Sequence, residues 1–255
     1  MATAVTGGAA PEAGVPLAVV LAVLTAGAAL LVRLGGLGKW HEVVVAAARA
    51  TGQLAAVSLL IAVVLGGMGA TAAFVSVMLV IAALTAGRRI TGATGRGAVW
   101  AGASIVAGVG PVLGLVLAAG VVPAAPVSVL PIAGILIGGA MTATALAGRR
   151  ALEELEVRHG EYEAALALGL LPRDAALEVT RPAAAPALVP VMDQTRTVGL
   201  VTLPGAFIGM ILGGANPLAA GVVQLLVLVG LLAAEAACVL VTVELVAAGR
   251  LRGRR

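Results

Sequence analysis

The apolar stretches of this chain are too long for a water-soluble fold. Ala98–Val122 contains no charged residue, and Leu218–Val246 contains only Glu235 and Glu244. A helix needs about 20 apolar residues to cross a bilayer core. Seven stretches approach or exceed that length: Val15–Val32, Val43–Leu65, Met68–Ala86, Ala98–Val122, Val127–Gly148, Thr197–Gly213 and Leu218–Val246. Composition agrees. The chain is 61% hydrophobic and 11% charged over 255 residues, against about 45–50% and about 25% in soluble domains. Disorder is excluded by the same numbers. A β-barrel would alternate apolar and polar residues along each strand, whereas these runs are continuous. The expected fold class is an all-α polytopic membrane protein with about seven transmembrane helices.

The links between the runs carry the charge pattern. Gly66–Gly67, Pro123–Pro126 and Gly214–Pro217 are short and hold no basic residue. Every arginine and the single lysine fall in Arg33–Glu42, Gly87–Gly97, Arg149–Arg196, at adjoining helix ends, or in the tail Arg250–Arg255. The positive-inside rule then places the N-terminus outside and the C-terminus in the cytosol. Five parts follow. Residues 1–14 form a short outer tail and residues 15–148 five spans. Residues 149–196 form a cytosolic segment, residues 197–246 two further spans, and residues 247–255 a basic tail. Residues Met1–Pro16 lack a positive leader region, so the first run is expected to be a retained span. The net charge of +4 is explained by orientation, and no nucleic-acid partner is expected. Cys238 is the lone cysteine, so no disulfide framework exists. Trp40 and Trp100 fall at expected inner interfaces. The location is the cell membrane, multi-pass.

The cytosolic segment has its own pattern. Leu152, Leu155, His159, Tyr162 and Leu166 recur at three- and four-residue spacing, which predicts one amphipathic helix over Arg149–Leu171. Gly169 ends it and Pro172 follows. A second helix is expected from Pro172 to Thr180, stopped before Pro182. Glu163-Ala164-Ala165, three residues, then Gly169, with Val179, Arg181 and Pro182 beyond, resembles the EAA loop of ABC-transporter membrane subunits. Val179 stands for isoleucine there, and Arg181 departs from leucine. The resemblance implies that Glu161, Glu163, Ala164, Ala165, Gly169 and Pro182 couple the chain to a cytosolic ATP-binding subunit. Without the resemblance, the pattern is an alanine-rich helix with a glycine stop.

Further motifs sharpen this. Val129-Leu130-Pro131-Ile132-Ala133-Gly134, Ala167-Leu168-Gly169, the stretch Thr197-Val198-Gly199-Leu200-Val201-Thr202-Leu203-Pro204-Gly205, Gln224, and Arg49 with Gln53-Leu54 resemble the FetB-like family of ABC permeases. That resemblance implies an export permease, with iron as the cargo and two copies each of permease and ATPase. Related plant proteins are linked to aluminium tolerance. The family pattern carries asparagine at Gly139, aspartate at Asn216, an arginine near Ala185 and a small or polar residue at Glu235, so this chain departs at those positions.

Little else carries chemistry. Gly38-Lys39-Trp40 holds the only Gly-Lys pair, so no phosphate-binding loop is available; ATP, if used, must be bound by another chain, and the resemblance implies ATP-Mg on a partner subunit. HExxH, CxxC and zinc spacings are missing. The only lysine is a loop residue, which excludes a retinal-type receptor. A membrane enzyme would need a nucleophile–base pair or metal triad, and none is legible. His41, His159, Met78, Met141, Met210 and Cys238 are scattered, so no metal site and no cofactor on this chain is expected. An ionisable group at the depth of Glu235 costs about 2.5–3.5 kcal/mol. Glu235 therefore reads either as a cation or proton site or as a neutral acid packed between helices. Arg49 and Gln53 share a helix face, as an inner-gate lining or as a snorkelling arginine. Asp193 and Arg196 suit a helix-end ion pair or a gate. Pro131 and Pro204 interrupt apolar spans, and Gly110/Gly114, Gly134/Gly138 and Gly209/Gly213 offer close helix packing. With Gln224 these residues make the expected translocation path: Arg49, Gln53, Pro131, Asp193, Arg196, Pro204, Gln224 and Glu235. The rival reading is an ion-gradient-driven secondary transporter using Glu235.

Overall fold

The computed structural model describes residues 14–93 and 95–253. The expected outer tail lies outside the described residues except for Gly14. Among the described residues ten α-helices follow in order: α1 Val15–Leu34, α2 Trp40–Val64, α3 Met68–Thr91, α4 Arg96–Ala118, α5 Pro126–Val157, α6 His159–Ala167, α7 Pro172–Ala184, α8 Val189–Thr197, α9 Gly205–Leu212 and α10 Pro217–Ala247. A 3₁₀ turn, Ala185–Leu188, joins α7 to α8. No strand occurs among the described residues, and six helices (α1 to α5 and α10) are long and apolar enough to cross a membrane. The chain is an all-α, multi-pass membrane protein. Proline at the first helical position starts α5 and α10, where its missing N–H leaves no bond unmade. Asn216 caps α10 by accepting the Leu218 N–H at 2.8 Å.

The chain divides into two compact units, residues 1–62 and 63–255. The first holds α1, apolar along nearly its whole length, and most of α2, which also carries Glu42, Arg49 and Gln53.

The second unit is a bundle of α3, α4, α5 and α10, closed at one end by α7. Its contacts fix the helix directions. Between α4 and α10, Gly108 meets Ala234 and Cys238 and Val112 meets Gly230, while Trp100 of α4 meets Arg250 just beyond the end of α10. These two helices are therefore antiparallel. In α5 and α10, Gly139 meets Leu231 and Glu235, while Ala143 and Ala147 share a cluster with Val239 and Val243. Those two run parallel. Small residues set the spacing. A Cβ on Gly108 would lie 2.4 Å from the Ala234 carbonyl oxygen, and one on Gly87 would lie 2.5 Å from the Ala98 backbone. Dispersion between closely apposed backbones is what holds helices together where lipid offers no hydrophobic drive.

Parallel α5 and α10 require the chain between them to return across the layer. It does so in pieces, which corrects the expected continuous span Thr197–Gly213. α7 sits at the inner end, packing Leu177 and Ala184 against α5 and α10. α8 then ends at Thr197, Val198–Pro204 is irregular, and α9 completes the return beside the first turns of α10. The physical reason lies in local bonds. Gly199 takes φ +80°, and its N–H donates to the Thr202 carbonyl at 2.8 Å. The Leu200 and Val201 amides donate back to the Thr197 carbonyl. The forward Gly199–Thr202 bond runs against the direction of the helical ladder, and Pro204 cannot donate at all.

Two other expectations change. The predicted helix Arg149–Leu171 is not one element. α5 continues from the span to Val157, and the chain breaks at Arg158 (φ −100°, ψ 32°) before α6. The second helix does not stop before Pro182, because α7 runs to Ala184 with Pro182 inside it. Pro182 leaves the Glu178 carbonyl without its helical donor. Glu178 and Pro182 are both exposed, so water can satisfy that carbonyl. Among the expected small-residue pairs, Gly134 closely approaches another helix, at Met78, while Gly213 meets only the preceding turn at Gly209 and Met210. Gly110, Gly114, Gly138 and Gly209 face open space.

Candidate functional site

Three residues expected on the path converge at the α9 end of the bundle. Pro131 lies inside α5, Pro204 precedes α9, and Gln224 projects from α10. A cavity of about 410 Å³ is bounded by Pro131, Ile135, Met210, Gln224 and Val227. A second of about 230 Å³ lies between Val198, Pro204, Phe207 and Gln224. Gln224 borders both. Its side chain is buried, and its Oε1 has no hydrogen-bond partner among the described residues. An unsatisfied buried acceptor costs about 1–3 kcal/mol. The local arrangement is a mostly apolar vestibule bordered by Gln224, whose Oε1 is itself enclosed.

Glu235 lies eleven residues further along α10, about 16 Å at 1.5 Å per residue. It is 7% exposed and makes no ion pair among the described residues. Its carboxyl occupies the space that Gly139 leaves open: a Cβ at 139 would stand 2.4 Å from Glu235 Oε1 and 2.5 Å from Leu231 Cδ1. The residue at which the chain departs from the resembled pattern on α5 therefore faces the one at which it departs on α10. Below Glu235 the same face carries Cys238, whose thiol donates to the Ser104 carbonyl at 3.3 Å, and Thr242, which donates to the Cys238 carbonyl at 2.7 Å. Thr144 of α5 is fully buried, and its Oγ1 has no hydrogen-bond partner within normal geometry among the described residues. Sequence reasoning missed Thr144 and Thr242. The spacing of Glu235, Cys238 and Thr242 by three and four was the available signal for a polar stripe.

The facing pair gives a direct test. Gly139→Val should lower the stability of the purified protein by about 1–3 kcal/mol through overpacking. Glu235→Ala in the same chain should recover much of that loss, giving a coupling within the 0.5–3 kcal/mol range of contacting residues. Thermal unfolding of the two single variants and the double variant reads the coupling. Strict additivity would mean the two positions do not share the space.

Of the remaining path residues, Arg49 and Gln53 lie on α2, in the other unit, and both are exposed. Asp193 and Arg196 sit on α8 as an exposed pair 3.5 Å apart. The structure does not bring Asp193 and Arg196 to the vestibule.

The α6–α7 end of the bundle presents a different surface. α6 buries no residue. Arg158 pairs with Glu154 and forms a bidentate contact with Glu161. That hydrogen bond holds the Glu161 carboxyl below its usual range and raises the Arg158 guanidinium. His159 Nδ1 lies 3.4 Å from Glu163. Ala164 and Ala165 follow on α6, and Gly169 adopts φ +94° at the turn. The Leu170 N–H donates to the Ala165 carbonyl at 3.1 Å, closing the helix end. Around the turn, Leu168 is 83% exposed and Leu171 is exposed beside it. α7 then returns to the bundle, where Arg173 and Arg181 both donate to the Glu244 carboxylate of α10. Arg181, which breaks the leucine position of the EAA pattern, thus has a partner 63 residues away. Pro182 is exposed on the same helix.

The profile of the uncharacterised protein family UPF0014 matches residues 16–249, and the chain belongs to that family. It is 41% identical over 144 residues to the UPF0014 membrane protein STAR2 of Oryza sativa subsp. japonica, covering 56% of this chain and 50% of that protein. It is 42% identical over 144 residues to the protein ALUMINUM SENSITIVE 3 of Arabidopsis thaliana, covering 56% and 52%. To the probable iron export permease protein FetB of Escherichia coli K12 it is 34% identical over 128 residues, covering 49% and 48%. The chain thus matches about half the length of these curated relatives. No solved structure matches it.

Proposed function

We propose that this UPF0014 member is the permease subunit of an ATP-driven exporter, working as a homodimer with two copies of a separate ATP-binding subunit that carries ATP-Mg. The α6–α7 hairpin supplies the observation behind this reading. It projects a helix with no buried residue, an apolar tip at Leu168 and Leu171, and the carboxylates Glu161 and Glu163. Exposed leucines outside the membrane need a protein partner to cover them. The Arg173–Glu244–Arg181 contact ties the same hairpin to α10, which carries Gln224 and Glu235. Motion of the hairpin on its partner would reach the vestibule through that helix. The resemblance to a probable iron export permease supports a metal cation such as iron as cargo. Arg49, Gln53, Asp193 and Arg196 belong to the inner entrance in this reading, and Pro131, Pro204, Gln224 and Glu235 to the path.

Glu235 favours one alternative, a secondary transporter driven by an ion gradient with that carboxyl as carrier. Vesicles holding the chain with its ATPase separate the two. The exporter loses iron transport when ATP is withdrawn and keeps it when the proton gradient is collapsed. The secondary transporter does the reverse, and Glu235→Gln abolishes its flux.

A further inference from the structure

We infer that the cleft between the α3–α4 turn and the segment after α10 binds the phosphate of an anionic phospholipid in the cytosolic leaflet. The cleft has a volume of about 530 Å³ and is bounded by Thr91, Arg96, Gly97, Gly249, Arg250 and Arg252. Its arginines are held in place. Gly249 turns the chain at φ +65°, and the N–H groups of Arg250 and Leu251 donate to the Leu245 carbonyl at 2.8 and 3.1 Å. Leu251 is fully buried and pins the segment to the bundle. Arg250 lies over the Trp100 ring, 5.0 Å from its centroid. Arg252 Nε donates to the Gly249 carbonyl at 2.7 Å. Arg96 opens α4, whose first turn has neither an acidic residue nor a side-chain cap, so the positive end of that helix adds to the same field.

Three guanidinium groups thus border one cleft, and among the described residues none of them pairs with a carboxylate. The contrast is local. On the α5–α7 side, Arg149, Arg158, Arg173 and Arg181 each face an acid within 4 Å. Guanidinium groups grouped without counter-charge suit a phosphate, which they grip through paired N–H donors. The level of the cleft selects the source. Trp100 marks the interface depth on α4, and Val99 beside it is exposed, so an apolar surface for acyl chains adjoins the charged cleft. Basic clefts between helices on the cytosolic side bind anionic headgroups. This site stands apart from the transport reading and does not depend on an ATPase.

The test uses the full-length chain purified in detergent, titrated with phosphatidylglycerol or with phosphatidylcholine of the same acyl chains and read by native mass spectrometry. Phosphatidylglycerol should bind, and Arg96→Gln with Arg250→Gln should weaken it by at least about tenfold. Arg149→Gln with Arg150→Gln removes equal charge from the same face and should change binding less than about twofold. If the double variant does not purify, Arg96→Gln and Arg252→Gln singly carry the test, each with a measurable loss. On a Trp40→Phe background, Trp100 fluorescence should shift with phosphatidylglycerol and not with millimolar inorganic phosphate. Equal retention of the two lipids, an unaffected Arg96/Arg250 variant, or a Trp100 shift with phosphate alone would overturn the assignment.

Discussion

Gly108→Val is expected to prevent the bundle from closing, and Gly108→Ala to cost about 1–3 kcal/mol or more. The obstacle is backbone, since the new Cβ would meet the Ala234 carbonyl oxygen at 2.4 Å, with Cys238 Sγ equally near. A flexible side-chain end could swing away, but a helix carbonyl cannot move without shifting α10. The neighbouring Gly110 faces open space, so Gly110→Ala should be neutral or stabilise slightly through reduced unfolded-chain entropy. Size-exclusion profiles and melting curves in one detergent compare the two. Equal behaviour of the 108 and 110 alanine variants would show that α4 and α10 are not apposed through this position.

The second large effect is functional. Gly169→Glu should abolish transport while leaving membrane insertion and the melting of the bundle intact. Gly169 holds φ +94°, a conformation costing a non-glycine residue about 1–3 kcal/mol. No atom lies within 4 Å of its would-be Cβ, so the bundle does not register the change. The strain falls on the hairpin turn alone, and a charge is placed beside the exposed Leu168. Gly169→Ala isolates the backbone part and should retain more activity. Recovery of an intact ATPase complex at wild-type flux from Gly169→Glu would remove the coupling role from this turn.

Hydropathy is local and additive, which is why six of the crossings were legible in the sequence to within a few residues at most ends. The sixth expected run failed for a reason hydropathy does not register. Thr197–Gly213 is apolar enough, but Gly199 and Pro204 redirect its hydrogen bonds. The cytosolic helix was misjudged at Arg158, where the apolar spacing continues across a break in the backbone. Pro182 was read as a stop, although an exposed carbonyl before it makes a late helical proline tolerable. At the site, Gln224, Pro131 and Pro204 were all named from sequence, but their convergence depends on the parallel packing of α5 and α10. The pairing of Glu235 with Gly139, and of Arg173 and Arg181 with Glu244, was hidden for the same reason. Such contacts join residues 63 or more apart, and no local pattern encodes them.

The break at Val198–Pro204 has a mechanical consequence. An unbroken helix transmits torque along its hydrogen-bond ladder as a rigid shaft. Here the ladder is severed between α8 and α9, so the inner piece can swivel without dragging the outer piece through the same angle. α7, the 3₁₀ turn and α8 form one train of helical segments at the cytosolic end, whereas α9 rests against the start of α10. No continuous hydrogen-bond ladder therefore joins the two pieces of the crossing, and a rotation of one is not passed rigidly to the other.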